Sequence, residues 1–215
     1  MDKHLRDRLV DGVIRLGLTI SEPQIALLLG YRDMLERWNK AYNLTAIRDP
    51  MDQVVRHLLD SLAIAPHLEG KDFVDVGTGP GLPGVPLAIL QPEQRWWLLD
   101  SNGKKTRFLF QVKSQLGLSN IDIVESRVET WQPGRLFDGV VTRAFADIHR
   151  TCEQCRHLLA ETSRLYAMKS ALVETELAQL GDDFTLHDKI ALSVPGMDEP
   201  RWLTALSLSP HRGSQ

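Results

Sequence analysis

Apolar positions divide the first part of the chain into helical segments. Leu5, Leu9, Val13 and Leu16 recur at intervals of three and four, the spacing of one helix face. Ser21 and Gln24 then form a capping-box pair that marks the start of a second helix. The pattern predicts a helical N-terminal extension over residues 1–66, packed on a main domain over 67–215, with helices over 4–18, over 21–40 and from Pro50 onwards.

After residue 66, short apolar runs alternate with helical periodicity, as a doubly wound sheet requires. Two final apolar stretches, separated by a turn-prone segment at 195–198, predict an antiparallel hairpin. We therefore predict an α/β fold with a seven-stranded sheet. Its predicted strands are 73–77, 95–100, 121–125, 138–143, 164–169, 184–194 and 202–208. One predicted helix begins at residue 83, and three others span 102–116, 147–161 and 172–180.

Composition indicates one structural unit. The chain has 215 residues, of which 43% are hydrophobic and 25% are charged, which suits a single domain with a substantial core. The N-terminus is charged where a signal peptide needs an apolar core, and no apolar stretch approaches the roughly 18 residues of a membrane span. Two cysteines cannot make a disulfide framework. We expect a cytoplasmic protein, monomeric and not bound to membranes.

The charge is unevenly distributed. The net charge is −3, but residues 170–200 hold seven acidic residues and a single basic one, Lys189, so the remainder carries 24 bases and 21 acids. A basic working face is therefore predicted beside an acidic patch, although both can also be ordinary solvated surface.

A glycine-rich loop follows the first predicted strand. Gly77, Gly79, Gly81 and Gly84 permit positive φ and a close backbone approach to a ligand. The last three match G-x-G-x-x-G, which is weak evidence alone. Asp100 closes the next apolar run about 20 residues further on, where doubly wound nucleotide sites place a carboxylate for ribose hydroxyls. The pattern predicts a cofactor that contains adenosine.

Residues around the loop favour one cofactor class. Three prolines, Pro80, Pro83 and Pro86, remove backbone N–H donors that a pyrophosphate would need. Asp75 supplies a carboxylate, which suits a cationic sulfonium. The loop thus resembles motif I of the class I S-adenosylmethionine-dependent methyltransferases, whose seven-stranded sheet ends in an antiparallel hairpin. A nucleotide-dependent oxidoreductase that uses the same loop remains the alternative enzyme class.

Several segments together resemble one family within that class. They are WNKAYNLTAIRDP (38–50), RHLLDSL (56–62), VDVGTGPGLPGVPLAI (74–89), LLDSNGKKTRFL (98–109), SRVE (126–129) and DGVVTRAF (138–145). The family is that of the 16S ribosomal RNA guanine-N7 methyltransferases, also called glucose-inhibited division protein B. The resemblance implies methyl transfer from S-adenosylmethionine to N7 of guanine 527 in 16S rRNA, within a small ribosomal subunit or its precursor. A non-catalytic RNA-binding assembly module that retains the fold is a further alternative.

The resemblance also implies site residues. Its cofactor contacts fall on Gly77, Leu82, Val128, Glu129 and Arg143. Position in the predicted sheet adds three more candidate cofactor residues, namely Asp75, Gly79 and Asp100.

Basic residues near the predicted strand ends are candidates for catalysis and RNA binding. Arg143 and Lys169 are the candidate catalytic residues, positioning cofactor and target base. Lys104, Lys105 and Arg127 are the candidate RNA-binding residues, because cations beside the site would contact phosphates. A solvated helix face is the alternative for the two lysines.

The residue types of one segment suggest a metal site, but their spacing on the predicted helix does not support one. His149, Cys152, Cys155 and His157 have ligand chemistry, yet on a helix over 147–161 the side chains of Cys155 and His157 point about 200° apart. Four ligands cannot converge, so no metal is predicted.

Overall fold

The computed structural model describes residues 2–143, 145–170 and 173–210. The N-terminal extension is helical, and the strands and helices that follow it alternate. The elements are α1 (Lys3–Arg15), α2 (Glu22–Tyr42), α3 (Pro50–Gln53), a π-helical segment (Val54–Leu59), α4 (Asp60–Leu62), β1 (Asp72–Val76), α5 (Gly84–Leu90), β2 (Arg95–Asp100), α6 (Gly103–Leu116), β3 (Ile121–Glu125), β4 (Phe137–Arg143), α7 (Ile148–Cys155), β5 (Leu159–Lys169), α8 (Val173–Leu177), β6 (Phe184–Leu192) and β7 (Arg201–Leu208).

One seven-stranded sheet has the order β3-β2-β1-β4-β5-β7-β6. Strands β1 to β5 run parallel to one another, whereas β7 runs antiparallel between β5 and β6. The predicted sheet and its terminal hairpin are confirmed. The strand order reverses at β1, so a crevice opens at the carboxyl ends of β1 and β4, where open α/β sheets bind ligands.

The predicted helix over 147–161 is wrong at its C-terminal end. α7 ends at Cys155, and β5 begins at Leu159 after a single 3₁₀ turn. The register with β4 shifts between Phe137↔Leu159 and Gly139↔Arg164. Ser163 stabilises this irregular stretch, since its hydroxyl accepts from the Ala160 N–H and donates to the Phe137 carbonyl. A bulged strand start has no period-2 pattern, which explains the error.

Smaller boundary errors occur elsewhere. The third predicted helix contains a π-helical segment, and the predicted strand over 184–194 ends at Leu192. The predicted helix over 172–180 is described only from Val173, and position 172 lies outside the described residues.

The N-terminal extension shares its core with the sheet. Leu9, Leu28 and Leu58 belong to the same buried cluster as Phe73 and Trp96. The domain boundary near residue 66 stays a prediction, because this core continues across it. No helix in the described part of the chain combines the length and apolarity that crossing a membrane requires.

Candidate active site at the carboxyl edge of the sheet

Asp75 holds the glycine loop from beneath. Its side chain is fully buried, and Oδ2 accepts hydrogen bonds from Thr78 Oγ1 at 2.7 Å and the Gly84 N–H at 2.8 Å. Burial raises the pKa of Asp75 to about 6, although these two hydrogen bonds oppose the shift. Asp75 lies outside the lining of both cavities described below. These contacts show that Asp75 supports the loop, and the expected contact with the cofactor stays a prediction.

Asp100 fixes the other side of the loop. Its Oδ2 accepts from the Gly79 N–H at 2.9 Å, and its Oδ1 accepts from the Asn102 N–H at 2.9 Å. Lys105 Nζ adds a longer contact of 3.4 Å to Oδ2. A carboxylate has about four acceptor sites, so a ligand hydroxyl can use the fourth and a second hydroxyl can displace Lys105. This geometry suits the two hydroxyls of a ribose.

A first cavity of about 420 Å³ opens beside Asp100. It brings together four predicted cofactor residues from three separate elements and two predicted RNA contacts. They are Gly77, Asp100, Val128 and Glu129, with Lys105 and Arg127 as the cations. The structure thus places Lys105 and Arg127 in this cavity, while Lys104 is exposed outside it. We refer to this space as the first cavity.

Glu129 and Val128 form the far wall of the first cavity. They occupy a 3₁₀ turn after β3, where Val128 is buried and Glu129 is exposed. The Glu129 carboxylate accepts a hydrogen bond of 2.7 Å from Gln154 Nε2 on α7. The cavity therefore contains two oriented carboxylates, Asp100 and Glu129, that can accept hydrogen bonds from ribose or adenine.

Gly77 allows the loop to pass close to an aromatic ring. Its φ is +68°, and a Cβ at this position would lie 2.5 Å from Cδ2 of Phe145. No other residue fits here without displacing the ring. Phe145 was not predicted as a site residue, since the sequence offers no signal that an aromatic side chain after β4 covers the loop.

A second cavity of about 540 Å³ lies on the other side of Gly77. It shares Gly77, Phe145 and Ala146 with the first cavity, and we call these three residues the dividing wall. The second cavity has a mixed lining of apolar, cationic and acidic residues. Its apolar residues include Ile47, Pro80, Leu82 and Met168, its cations are Arg56, Arg143, Lys169 and Arg201, and its acidic residues are Asp147 and Glu176.

Arg143 is held by the N-terminal extension. Its Nη1 donates to the Arg56 carbonyl at 3.0 Å and lies 3.2 Å from Asp60 Oδ2. Asp60 is fully buried. Of the predicted residues, Gly79, Leu82, Arg143 and Lys169 line the second cavity, so the predicted cofactor set is divided between two adjoining spaces.

The positive charge of Lys169 is compensated by Glu176, a partner that the sequence did not predict. Its Nζ lies 2.7 Å from Glu176 Oε2 and donates to the Ala146 carbonyl. The same Glu176 oxygen accepts from the Ile148 N–H at 2.9 Å. Lys169 is buried among these partners and also lines the second cavity. Its contacts hold the turn that carries Ala146, and the expected contact with base or phosphate stays a prediction.

His57 lines the second cavity as a neutral imidazole. It is buried, and its Nε2 lies 2.9 Å from Thr45 Oγ1. Burial, assisted by the nearby Arg143 guanidinium, lowers the pKa of His57 to about 4. At neutral pH this side chain is already deprotonated, and it adds no charge to the cavity.

One further contact frames the site. Tyr31 of α2, fully buried, donates to the Pro80 carbonyl at 2.9 Å and so connects the extension to the glycine loop.

Within the described residues, no group of three or more His, Cys, Asp and Glu side chains has metal-binding geometry. Cys152 is buried, and burial raises the pKa of its thiol to about 12, which makes it a poor nucleophile.

Solved structures resemble this fold. A S-adenosylmethionine-dependent methyltransferase from Aquifex aeolicus superposes with a TM-score of 0.59 at 14% identity, covering 77% of this chain and 97% of that one. Coclaurine N-methyltransferase superposes with a TM-score of 0.57 at 11% identity, covering 89% and 74%. These likenesses confirm the predicted class I methyltransferase fold.

Curated relatives are much closer in sequence. Ribosomal RNA small subunit methyltransferase G of Saccharophagus degradans is 49% identical over 97% of this chain and 93% of its own length. The proteins of the same name from Shewanella halifaxensis and Yersinia pseudotuberculosis are each 50% identical, over 93% and 88% of this chain and 96% and 93% of their own lengths. The family model for rRNA small subunit methyltransferase G, GidB, matches residues 24–204. The chain therefore belongs to the GidB family of rRNA small subunit methyltransferases.

Proposed function

We propose that this protein transfers the methyl group of S-adenosylmethionine to N7 of guanine 527 in 16S rRNA. Family membership supports the coarser activity, methylation of small-subunit rRNA with S-adenosylmethionine as the cofactor. The finer target, N7 of guanine 527, follows from the family resemblance of segments 38–50 and 56–62. Transfer between two ligands is supported by the pair of cavities that meet at Gly77, Phe145 and Ala146. Two ligands can thereby approach each other across one short wall.

The first cavity fits the cofactor. Asp100 has acceptor capacity for the ribose, and Val128 and Glu129 line the space available to adenine. Gly77 lets the ligand approach the main chain at the dividing wall. A sulfonium bound at this wall would present its methyl group to the second cavity.

The second cavity fits a nucleotide. Its apolar surface at Ile47, Pro80, Leu82 and Met168 suits a planar base, while its arginines suit the attached phosphate and the base oxygen O6. The target guanine would thus enter from the side formed by the N-terminal extension and the hairpin. We propose that the same face meets the small ribosomal subunit, with the protein acting as a monomer.

The chemistry requires no general base. Guanine N7 has an available lone pair, and bound S-adenosylmethionine would supply a sulfonium methyl group whose transfer to N7 would break the carbon–sulfur bond and release a neutral thioether. No proton is removed. His57 is neutral and Lys169 is paired with Glu176, which leaves the chain the task of aligning the two ligands, a contribution that can reach several kcal/mol.

Transfer of labelled methyl groups tests the proposal. We expect label from S-adenosylmethionine in 16S rRNA of small subunits that lack the modification, mapped to guanine 527 by strand scission at 7-methylguanosine. Subunits with adenine at position 527 are the matched control and should accept no label. Label at another nucleotide, or none in any form of the rRNA, would overturn the proposal.

The pH dependence of single-turnover transfer tests the mechanism. At saturating cofactor and RNA, we expect a nearly flat rate from about pH 6 to 8.5, because no group must lose a proton. A tenfold rise per pH unit, abolished by His57→Gln with binding intact, would show that a base is used.

Competing functions are distinguished by the same data. The oxidoreductase alternative does not agree with family membership. The RNA-binding module without catalysis predicts rRNA binding without transfer of label.

A further inference from the structure

The Asp60 carboxylate contacts two guanidinium groups, those of Arg143 and Arg201. Arg143 Nη1 lies 3.2 Å from Asp60 Oδ2. From β7, Arg201 Nη2 donates to the same Oδ2 at 3.0 Å, and Arg201 Nε lies 3.0 Å from Oδ1. Asp60 is fully buried, so its single negative charge faces two positive charges in a region shielded from water. The trio carries a net positive charge.

The other cations of the second cavity are compensated one to one. Lys169 pairs with Glu176 at 2.7 Å, and Arg56 pairs with Glu199 at 2.6 Å. Asp147 also lines this cavity, near Lys169, and caps α7 by accepting from the Arg150 N–H. Among the described residues, the local excess of positive charge therefore lies at the Arg143–Arg201 pair beside Asp60. The cavity is consequently suited to one anionic group.

Arg201 retains unused hydrogen-bond donors. A guanidinium has five N–H groups, and the contacts with Asp60 engage only Nε and Nη2 of Arg201. Its Nη1 has no hydrogen-bond partner among residues 2–143, 145–170 and 173–210. The Nη2 hydrogen bond to Oδ2 and the ion contact of Nε with Oδ1, which lacks hydrogen-bond geometry, hold the guanidinium against Asp60 before a ligand arrives.

We propose that Arg201, oriented by Asp60, binds a phosphate oxygen of the RNA substrate in the second cavity. This inference rests on the proposed function, since it assumes that an RNA nucleotide enters there. Arg143 lies toward the glycine loop, whereas Arg201 comes from the hairpin, on the side from which the nucleotide approaches. The apolar surface beside the pair accommodates the base, and the uncompensated charge accommodates its phosphate.

The same contacts give Asp60 a positioning role. Asp60 belongs to the N-terminal extension and Arg201 to the terminal hairpin, so the carboxylate joins two segments that are 141 residues apart. Arg56 and Glu199 make a second link between these segments. The phosphate site therefore exists only where the extension and the hairpin meet.

The test compares Arg201→Gln with Arg95→Gln. Arg95 lies at the amino end of β2, the opposite edge of the sheet, and is exposed with a 3.7 Å contact to Asp122. Affinity for a 16S rRNA fragment that contains the target loop is measured across a series of salt concentrations, and S-adenosylmethionine affinity is measured by calorimetry. Retained cofactor binding shows that each variant is folded.

We expect Arg201→Gln to lose about tenfold in RNA affinity. The slope of log K against log salt should flatten by about 0.7–0.9, as for one lost phosphate contact. Cofactor affinity should stay unchanged, and Arg95→Gln should behave as the wild type. Arg201→Lys keeps Asp60 paired with a cation, and we expect it to retain the slope but bind RNA a few-fold more weakly, because lysine lacks the bidentate fork.

Two results would overturn the proposal. The first is unchanged RNA affinity and salt slope in folded Arg201→Gln, or unchanged affinity in Arg201→Lys should the glutamine variant not fold. The second is weaker binding of S-adenosylmethionine with unchanged binding of 5′-methylthioadenosine, which lacks the methionine carboxylate, since Arg201 would then hold the cofactor. Failure of the wild type to label rRNA would instead overturn the proposed function, because the binding comparison needs no turnover.

Discussion

Asp100 combines two tasks in one side chain. It accepts from the backbone of Gly79 and Asn102, and it retains acceptor capacity toward the first cavity. Asp100→Ala should therefore weaken S-adenosylmethionine binding, because charge-assisted hydrogen bonds of roughly 1.5–3 kcal/mol correspond to about 10- to 150-fold in affinity. Calorimetric titration measures this loss. Asp122→Ala, at a half-exposed carboxylate on β3, is the matched control, and full affinity in folded Asp100→Ala would contradict the assignment.

Asp75 and His57 titrate in opposite senses on folding. The pKa of Asp75 rises from 3.8 to about 6, so its contribution to stability is lost as pH rises from about 4 to 6. The pKa of His57 falls from 6.5 to about 4, so its contribution is present above pH 6.5 and is lost as pH falls toward 4. In the wild type the two dependences largely cancel between pH 4 and 6.

Single substitutions should expose each dependence. In Asp75→Asn, the free energy of unfolding should rise with pH across this window, because Asp75 no longer opposes the His57 dependence, which contributes a slope of at most about 1.4 kcal/mol per pH unit. In His57→Gln it should fall with pH for the opposite reason. Urea unfolding at half-unit pH intervals measures both slopes. If the unfolding free energy changed with pH in the same direction in both variants, the opposite pKa shifts of Asp75 and His57 would be contradicted.

Individual site residues were predictable where a motif fixes them. Val128 and Glu129 follow a strand within a recognisable segment, and the structure places both in the first cavity. Glu176 and Arg201 have no such context, since each is a charged residue on a short or late element. Their roles arise from partners distant in sequence, Lys169 and Asp60, which no local pattern encodes.

At the scale of elements, α6 shows why neighbouring lysines need not share a role. Successive helical residues point about 100° apart. Lys105 contacts Asp100 and lines the first cavity, while Lys104 is exposed. Both predicted RNA contacts stay predictions, but the contact with Asp100 favours a role for Lys105 in the first cavity.

Lys104→Gln and Lys105→Gln should therefore behave differently. We expect Lys104→Gln to lower the salt slope of RNA binding by about 0.7–0.9 and leave cofactor affinity intact. Lys105→Gln should leave the slope unchanged, because its cation is engaged with Asp100. Filter-binding titrations across salt concentrations measure both variants. An equal decrease of the salt slope in the two variants would show that Lys105 also contacts RNA.

Strands and helices with regular periodicity were predicted well, and irregular backbone was not. The strands β1 and β2 are short apolar runs bounded by glycine, proline and polar residues, which is why their predicted limits agree with the structure within a residue. The π-helical segment Val54–Leu59 and the bulged start of β5 depend on hydrogen bonds that periodicity does not reveal.

At the scale of the whole molecule, the extension contributes residues to the candidate site. The chain order of elements predicted the sheet, because parallel strands require crossover helices. The order of elements gave no indication that Tyr31 would reach the glycine loop or that Asp60 would reach β7. Such contacts depend on how complete elements pack, which sequence spacing alone does not determine.

The dividing wall has a thermodynamic consequence. Gly77, Phe145 and Ala146 touch both ligand spaces, so a ligand that shifts the wall from one side alters the affinity measured on the other. Linkage requires the factor to be equal in both directions, and typical coupling is about 5- to 150-fold. S-Adenosylhomocysteine should therefore change rRNA affinity by the same factor as rRNA changes S-adenosylhomocysteine affinity. Phe145→Ala should bring that factor close to one, so that each ligand binds with the same affinity whether or not the other is bound.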